Sequence, residues 1–219
     1  MKKILLAIIL MLLPGFAFAQ SAVRCPNPSK RQGSVNHIFF SFKDKSANLG
    51  SYLPKNLALV EEQYLKNGPR CLTKQTYNAF LSKLDALKKD NNQSLLISSS
   101  WRSPKTQMYF AKNRSEFAAS PGRSEHQLGT TVDLDFLGSK EEDLFGDSVA
   151  YKWMQENAHK YGFVQSFDAE GEKLTGIPNE PWHWRFVGET IATKVKTEKL
   201  NLNQYLFDRK EAKKKGVKL

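Results

Sequence analysis

"SEHQLGTTVDLDF", Ser124 to Phe136, decides how the rest of this chain is read. From Thr130 onward the residues alternate, with Val132, Leu134 and Phe136 on one face and Thr131, Asp133 and Asp135 on the other. That period of two is the pattern of a β-strand with one apolar face. A loop carrying Ser124 and His126 feeds the strand through Gly129, a residue that permits a tight approach. His126 and Asp133 could be ordinary polar groups at a sheet edge, or they could be metal ligands, and the stretch alone leaves both readings open.

Upstream, Thr73 caps an amphipathic helix in which Tyr77, Phe80, Leu81, Leu84 and Leu87 share one face, and the helix ends in the polar turn Asp90-Asn91-Asn92. Leu95 to Ile97 is a short apolar strand running into Ser100-Trp101-Arg102-Ser103-Pro104, where Ser103 and Pro104 signal a helix start with Gln107 in its first turns. Ala119 to Arg123 is a loop. Downstream, a helix is expected from about Ser148 to Tyr161, closed by Gly162. Strands follow at Phe163–Phe167 and Trp182–Val187, and Thr190 to Leu206 reads as mostly helical. With no internal repeat or low-complexity linker, these elements predict one α+β domain, a small and mostly antiparallel sheet flanked by helices.

The chain has 219 residues and a formal net charge of +11. Lys2 and Lys3, the apolar run Ile4–Leu13, Pro14-Gly15 and Ala17-Phe18-Ala19 read as an export signal, so 1–19 is expected to be cleaved, leaving a charge of +9. No later stretch approaches the roughly 20 apolar residues of a membrane span. Arg24 directly before Cys25 is unlike a lipoprotein cleavage site, so no membrane anchor is expected. A basic protein outside the cytoplasm points away from nucleic acid and toward anionic envelope polymers, in the periplasm or at the cell wall. In that oxidising compartment Cys25 and Cys71 are expected to form a disulfide, worth roughly 4 kcal/mol in the chain-entropy model. The remaining divisions are an irregular arm at 20–50 around a possible strand at His37–Phe42, the main domain at 51–206, and a solvated basic tail at 207–219.

A second cluster, "NEPWHWRF" from Asn179 to Phe186, places Glu180 three residues before His183 in an extended segment. As a strand it would turn Trp182 and Trp184 one way, into the core, and His183 and Arg185 the other. A lone strand histidine is usually a satisfied sheet residue. Together, however, His126, Asp133 and His183 make a three-ligand set that leaves the fourth position of Zn2+ open, the arrangement of a catalytic site. Glu180 is then the general base for a zinc-activated water. His37 and His159 stay outside this set, and Asp135 could orient a histidine or be a plain strand-edge carboxylate.

The ordered motifs "SSSWRS…Q", "SEHQLGTTVDLDF", "ENAHKYGF" and "GEKLTGIPNEPWHWRFVG" resemble the VanY-type D-alanyl-D-alanine carboxypeptidases, zinc peptidases related to D-Ala-D-Ala dipeptidases and more distantly to lysostaphin and hedgehog domains. The resemblance runs from about Tyr52 to beyond Gly188. It implies the hedgehog-like peptidase fold, His126, Asp133 and His183 as zinc ligands, and Glu180 as catalytic base. It also implies Arg102 as the group that binds the substrate carboxylate or steadies the oxyanion, with Gln107 and Ser124 helping to hold the substrate. Thr131 and Trp101 depart from the family's usual Ala and Tyr, at positions expected to bear on substrate preference. The implied activity is removal of C-terminal D-alanine from peptidoglycan stem peptides. The alternatives are an L,D-carboxypeptidase, a peptidoglycan endopeptidase, or a zinc-bearing wall-binding module without activity.

Overall fold

The structure, a computed structural model, describes residues 24–26, 39–113, 119–140 and 144–217. The export signal and His37 lie outside them. The elements are β1 (Leu57–Leu59), β2 (Cys71–Thr73), α1 (Lys74–Asn91), β3 (Leu95–Ser99), α2 (Pro104–Asn113), β4 (Thr131–Phe136), α3 (Val149–Asn157), β5 (Phe163–Gln165), α4 (Glu172–Thr175), β6 (His183–Phe186), α5 (Glu189–Thr197) and α6 (Leu202–Lys214). The main sheet has the order β3-β4-β6-β5, and every neighbouring pair is antiparallel. The α+β reading is therefore correct, and β1 with β2 adds a two-stranded sheet.

Alternation in β4 sends Val132 and Leu134 into the core, where they meet Phe80, Leu84 and Leu87 of α1 and Trp153 and Met154 of α3. The opposite face of β4 carries Asp133. Thr73 caps α1 by accepting from the Thr76 N–H at 3.3 Å, and Asn92 ends it in the left-handed conformation at φ 54°. Gly162 closes the helical stretch after α3 at φ 79°, and a Cβ there would lie 2.7 Å from the Phe186 ring. No other residue fits that turn without strain.

Four expectations are corrected. Residues 39–42 form no strand: Phe40, Phe42, Ala47 and Leu49 instead pack with Tyr52, Leu128 and Phe167 in a second buried cluster, so this part of the arm belongs to the domain. The basic tail is helical to Lys214, and Lys210 pairs with Asp44 of that arm. Buried Asn203 joins the two segments to the sheet, accepting from the Phe42 N–H at 2.8 Å and donating to the Ser166 carbonyl at 2.8 Å. The helix expected over Thr190–Leu206 is broken between α5 and α6, because Lys199 turns left-handed at φ 51° and Asn201 starts a new helix by capping Gln204. Trp182 precedes β6 and is 41% exposed, whereas Trp184 is buried as expected. Cys25 and Cys71 form the disulfide, 46 positions apart.

Lys83 of α1 is fully buried, and its ammonium has no hydrogen-bond partner among the described residues. It stands 4.2 Å from the Phe163 ring centroid and 5.1 Å from that of Phe80. Burial pushes its pKa down to about 7. Between that value and the unfolded lysine value of about 10.4, the unfolded chain binds the extra proton, so stability rises with pH across this window. Lys83→Met is expected to be more stable than the wild type by a few kcal/mol near pH 7, with the gap closing toward pH 10.5. Denaturant titrations of both proteins at the two pH values test this, and a gap that does not change with pH would contradict it.

Candidate metal centre

His126 lies in the 3-10 turn Glu125–Leu128, which Gly129 ends at φ 71° before the chain enters β4. Its Nδ1 faces the Ser100 carbonyl at 2.7 Å, so Nδ1 carries the proton and Nε2 is left as a donor for a cation. That Nε2 is 3.2 Å from Asp133 Oδ2. Asp133 and His183 are directly opposed in the β4–β6 ladder. His183 Nδ1 sits 3.1 Å from Asp133 Oδ1 and 3.4 Å from Glu180 Oε2, while its Nε2 is 3.1 Å from Glu125 Oε2.

One donor atom from each of His126, Asp133 and His183 thus falls within 4.8 Å of the others. The 3.1–3.2 Å separations match what ligands about 2.0–2.1 Å from a tetrahedral ion require. Asp133 Oδ1 is buried and makes no hydrogen bond among the described residues, although it lies so close to His183. The three groups therefore converge on a shared point, and two imidazoles with a carboxylate fit a borderline-soft divalent ion such as zinc.

The electrostatics agree. Burial, with Arg102 nearby, lowers His126 to about 4, keeping it a neutral ligand. Burial works against ionising Asp133, but His126 and then His183 hold its carboxyl well below the usual range. Burial likewise opposes a charged His183, yet the adjacent carboxylates of Asp133 and Glu125 raise it to about 10. Glu180 is pushed up to about 7, first by burial and then by Asp133 and Glu125, with His183 opposing. Crowded carboxylates around two histidines make a pocket that favours a cation.

These groups line a cleft of about 380 Å³ with Arg102, Ser124 and Phe110, and with apolar walls from Phe42, Phe167 and Ile177. Arg102 donates to Ser99 Oγ at 3.2 Å and to Ser124 Oγ at 3.5 Å, and its guanidinium lies 5.0 Å from the Phe110 ring centroid. Gln107 does not line the cleft. Its amide donates to the Ala119 carbonyl at 2.6 Å, so it fixes a wall residue rather than facing the centre. Thr131 is fully buried and also off the cleft, while Trp101 lines a neighbouring cavity. His159 lines a separate groove.

Asp135 does not orient a histidine; it pairs with Lys66 and accepts from the Phe136 N–H. The orienting carboxylate is Glu125, fully buried and held between His183 and Arg185, whose Nη1 is 2.9 Å from Glu125 Oε1. The sequence offered one signal for it: an acidic residue beside His126 and a basic one two positions after His183, neither of which has another reason to be buried. Glu125→Gln is expected to weaken metal binding about 10- to 100-fold by loosening His183. Competition against a chromophoric chelator measures this, and an unchanged affinity would show that Glu125 serves only to neutralise Arg185.

A three-ligand cation site with a further carboxylate, Glu180, beside it, open to a cleft that also holds an arginine, has the make-up of a metal-dependent hydrolase centre. Residues 70–189 match the family model VanY, D-alanyl-D-alanine carboxypeptidase, and the chain belongs to this family. It is 31% identical over 170 residues to YodJ of Bacillus subtilis (strain 168), an alignment covering 71% of this chain and 62% of that one. Three further curated relatives are spanned over 32% to 52% of their length. Among solved structures, the LdcB LD-carboxypeptidase superposes with a TM-score of 0.65 at 30% identity, covering 71% of this chain and 79% of that one. A variant of the vancomycin resistance D,D-pentapeptidase VanY in complex with Zn(II) superposes with a TM-score of 0.56 at 28% identity, covering 70% and 93%. The expected peptidase fold is therefore the observed one. Among the described residues no helix is long and apolar enough to cross a membrane.

Proposed function

We propose that this protein is an exported zinc carboxypeptidase that removes C-terminal D-alanine from peptidoglycan stem peptides. The observation carrying the reading is the convergence of His126 Nε2, Asp133 and His183 Nδ1 beside a Glu180 carboxylate that none of the three needs. Zn2+ is the metal of the related VanY structure, and His126, Asp133 and His183 are the residues that would hold it here.

When bound, zinc polarises the scissile carbonyl and makes water acidic enough to attack near neutral pH. Glu180 takes the proton from that water and returns it to the leaving amine. Its position is set by the backbone: the Glu180 N–H donates to the Phe167 carbonyl at 2.9 Å, and the His183 N–H donates to the Glu180 carbonyl at 3.0 Å. Arg102 offers a planar fork for the C-terminal carboxylate of the peptide, with the Ser124 hydroxyl beside it. Gln107 supports this pocket indirectly, through Ala119. Arg102→Lys retains the charge but loses the fork and the stacking on Phe110, and kcat/KM is expected to fall about 10- to 100-fold, mainly through KM. An unaltered KM would remove Arg102 from substrate binding.

A second reading, L,D-carboxypeptidase activity, is favoured by the higher identity and TM-score of the LdcB superposition. Stem peptides ending in D-Ala-D-Ala and in a single D-Ala separate the two. Faster release of D-alanine from the first supports the D,D reading; faster release from the second replaces it with the L,D reading. Cleavage of crosslinked peptides alone would make the protein an endopeptidase, and zinc-bound protein that binds peptides without cutting them would be the wall-binding module.

A further inference from the structure

Resting on that functional reading, we propose that the cavity next to the metal centre is a second carboxylate subsite. In it Arg24 and Arg70 receive an acidic side chain of the peptide substrate, and the Cys25–Cys71 disulfide holds Arg24 in place.

The cavity measures about 640 Å³ and shares Arg102, Phe110 and Asp133 with the central cleft, so a ligand at the metal can reach into it. Its lining also carries Arg24, Lys66 and Arg70. Lys66 is engaged by Asp135. Arg70 is not neutralised by any ion pair among the described residues: its guanidinium donates to the Ser98 carbonyl at 3.1 and 2.9 Å, to the Pro69 carbonyl and to the Asn67 amide oxygen. Arg24 likewise pairs with no carboxylate among the described residues. Trp101 is also in the lining, and its buried Nε1–H has no acceptor among the described residues. Among the described residues Asp133 is the one carboxylate of the lining, and the two histidines already claim it. The cavity therefore presents donors and positive charge in excess of acceptors, which suits an acceptor-only anion. With Arg102 assigned to the C-terminal carboxylate, the anion left to fill it is a side-chain carboxylate of an amino diacid elsewhere in the peptide.

The tether explains how Arg24 comes to be there. Arg24, Cys25 and Pro26 belong to no helix or strand. Cys71, in contrast, is stitched to the end of β3: its N–H donates to Ser100 Oγ at 3.1 Å, and its carbonyl accepts from the Trp101 N–H at 3.1 Å. The disulfide thus delivers Arg24 to the same short segment whose Ser100 carbonyl orients His126 and whose next residues are Trp101 and Arg102.

The test uses two peptides that differ only in one residue ahead of the scissile bond, which bears a side-chain carboxylate in one and its carboxamide in the other. Zinc-loaded wild type is expected to prefer the acidic peptide roughly 10- to 100-fold in kcat/KM, through KM. In Arg24→Ser that ratio should collapse to within about threefold of unity, and Cys25→Ser, which keeps Arg24 but frees it, should lower the ratio in the same direction. A wild-type ratio near one, or a ratio unchanged in Arg24→Ser, overturns the proposal. If neither peptide is cleaved, the functional reading fails separately; calorimetric affinities of the two peptides then decide the subsite by the same ratio. Equal inhibition of both reactions by millimolar inorganic phosphate, with no preference between the peptides, would mark a general anion site and also overturn it.

Discussion

Glu180→Ala is expected to retain zinc at wild-type stoichiometry while losing about 10²- to 10⁴-fold or more in turnover. The separation of the two effects follows from geometry. Glu180 reaches His183 Nδ1 only at 3.4 Å, whereas Asp133 reaches both histidines at 3.1–3.2 Å, so the ligand set is complete without it. Nor, among the described residues, does Glu180 pair with an arginine, as Glu125 does, and its carboxyl is tuned to about 7 by burial first and by the neighbouring carboxylates second. A base near neutrality can accept a proton and then release it, which a strongly ionised carboxylate does less well. Metal content by emission spectroscopy beside D-alanine release measures both quantities in one sample. A Glu180→Ala protein that still turns over would remove Glu180 from the chemistry.

Asp133→Asn should do the opposite and abolish metal binding along with activity. The substitution preserves shape, but it removes the anionic ligand and the counter-charge that keeps His183 near 10 in the metal-free protein. The loss in affinity is expected to exceed the 10- to 100-fold cost of losing an outer partner, because a ligand itself is removed. Zinc bound to the native state alone raises stability by mass action, so added zinc should raise the Tm of the wild type and leave that of Asp133→Asn unmoved. An equal rise in both would place the metal elsewhere.

The features that were legible in the sequence depend on local patterns. The alternation of β4 put Asp133 opposite Val132 and Leu134, and that alone set it on the polar face. Glu180 and His183 share one short segment, and α1 announces itself by a cap and an apolar stripe. What stayed hidden depends on long-range partners. β1 and β2 are three residues each, too short to alternate visibly, and they exist because they pair with each other. Phe40 and Phe42 are buried by Phe167 and Leu128, far along the chain, so their arm read as irregular. Trp182 lies one residue before β6 and escapes its alternation, which is why it faces the cleft and not the core. Glu125 could be recognised only once Arg185 and His183 were seen to close on it. Gln107 has the right neighbourhood but points its amide at Ala119, and spacing along a helix does not reveal that.

The proposed function has His126, Asp133 and His183 hold a zinc ion with which Glu180 cleaves a C-terminal D-alanine. Its most direct test follows D-alanine release from a stem peptide ending in D-Ala-D-Ala or D-Ala through three states of one preparation: zinc-loaded, stripped by chelator, and reloaded. The prediction is release that is lost on stripping and restored by zinc. Release that survives stripping, or none at all with one zinc bound per chain, would contradict it.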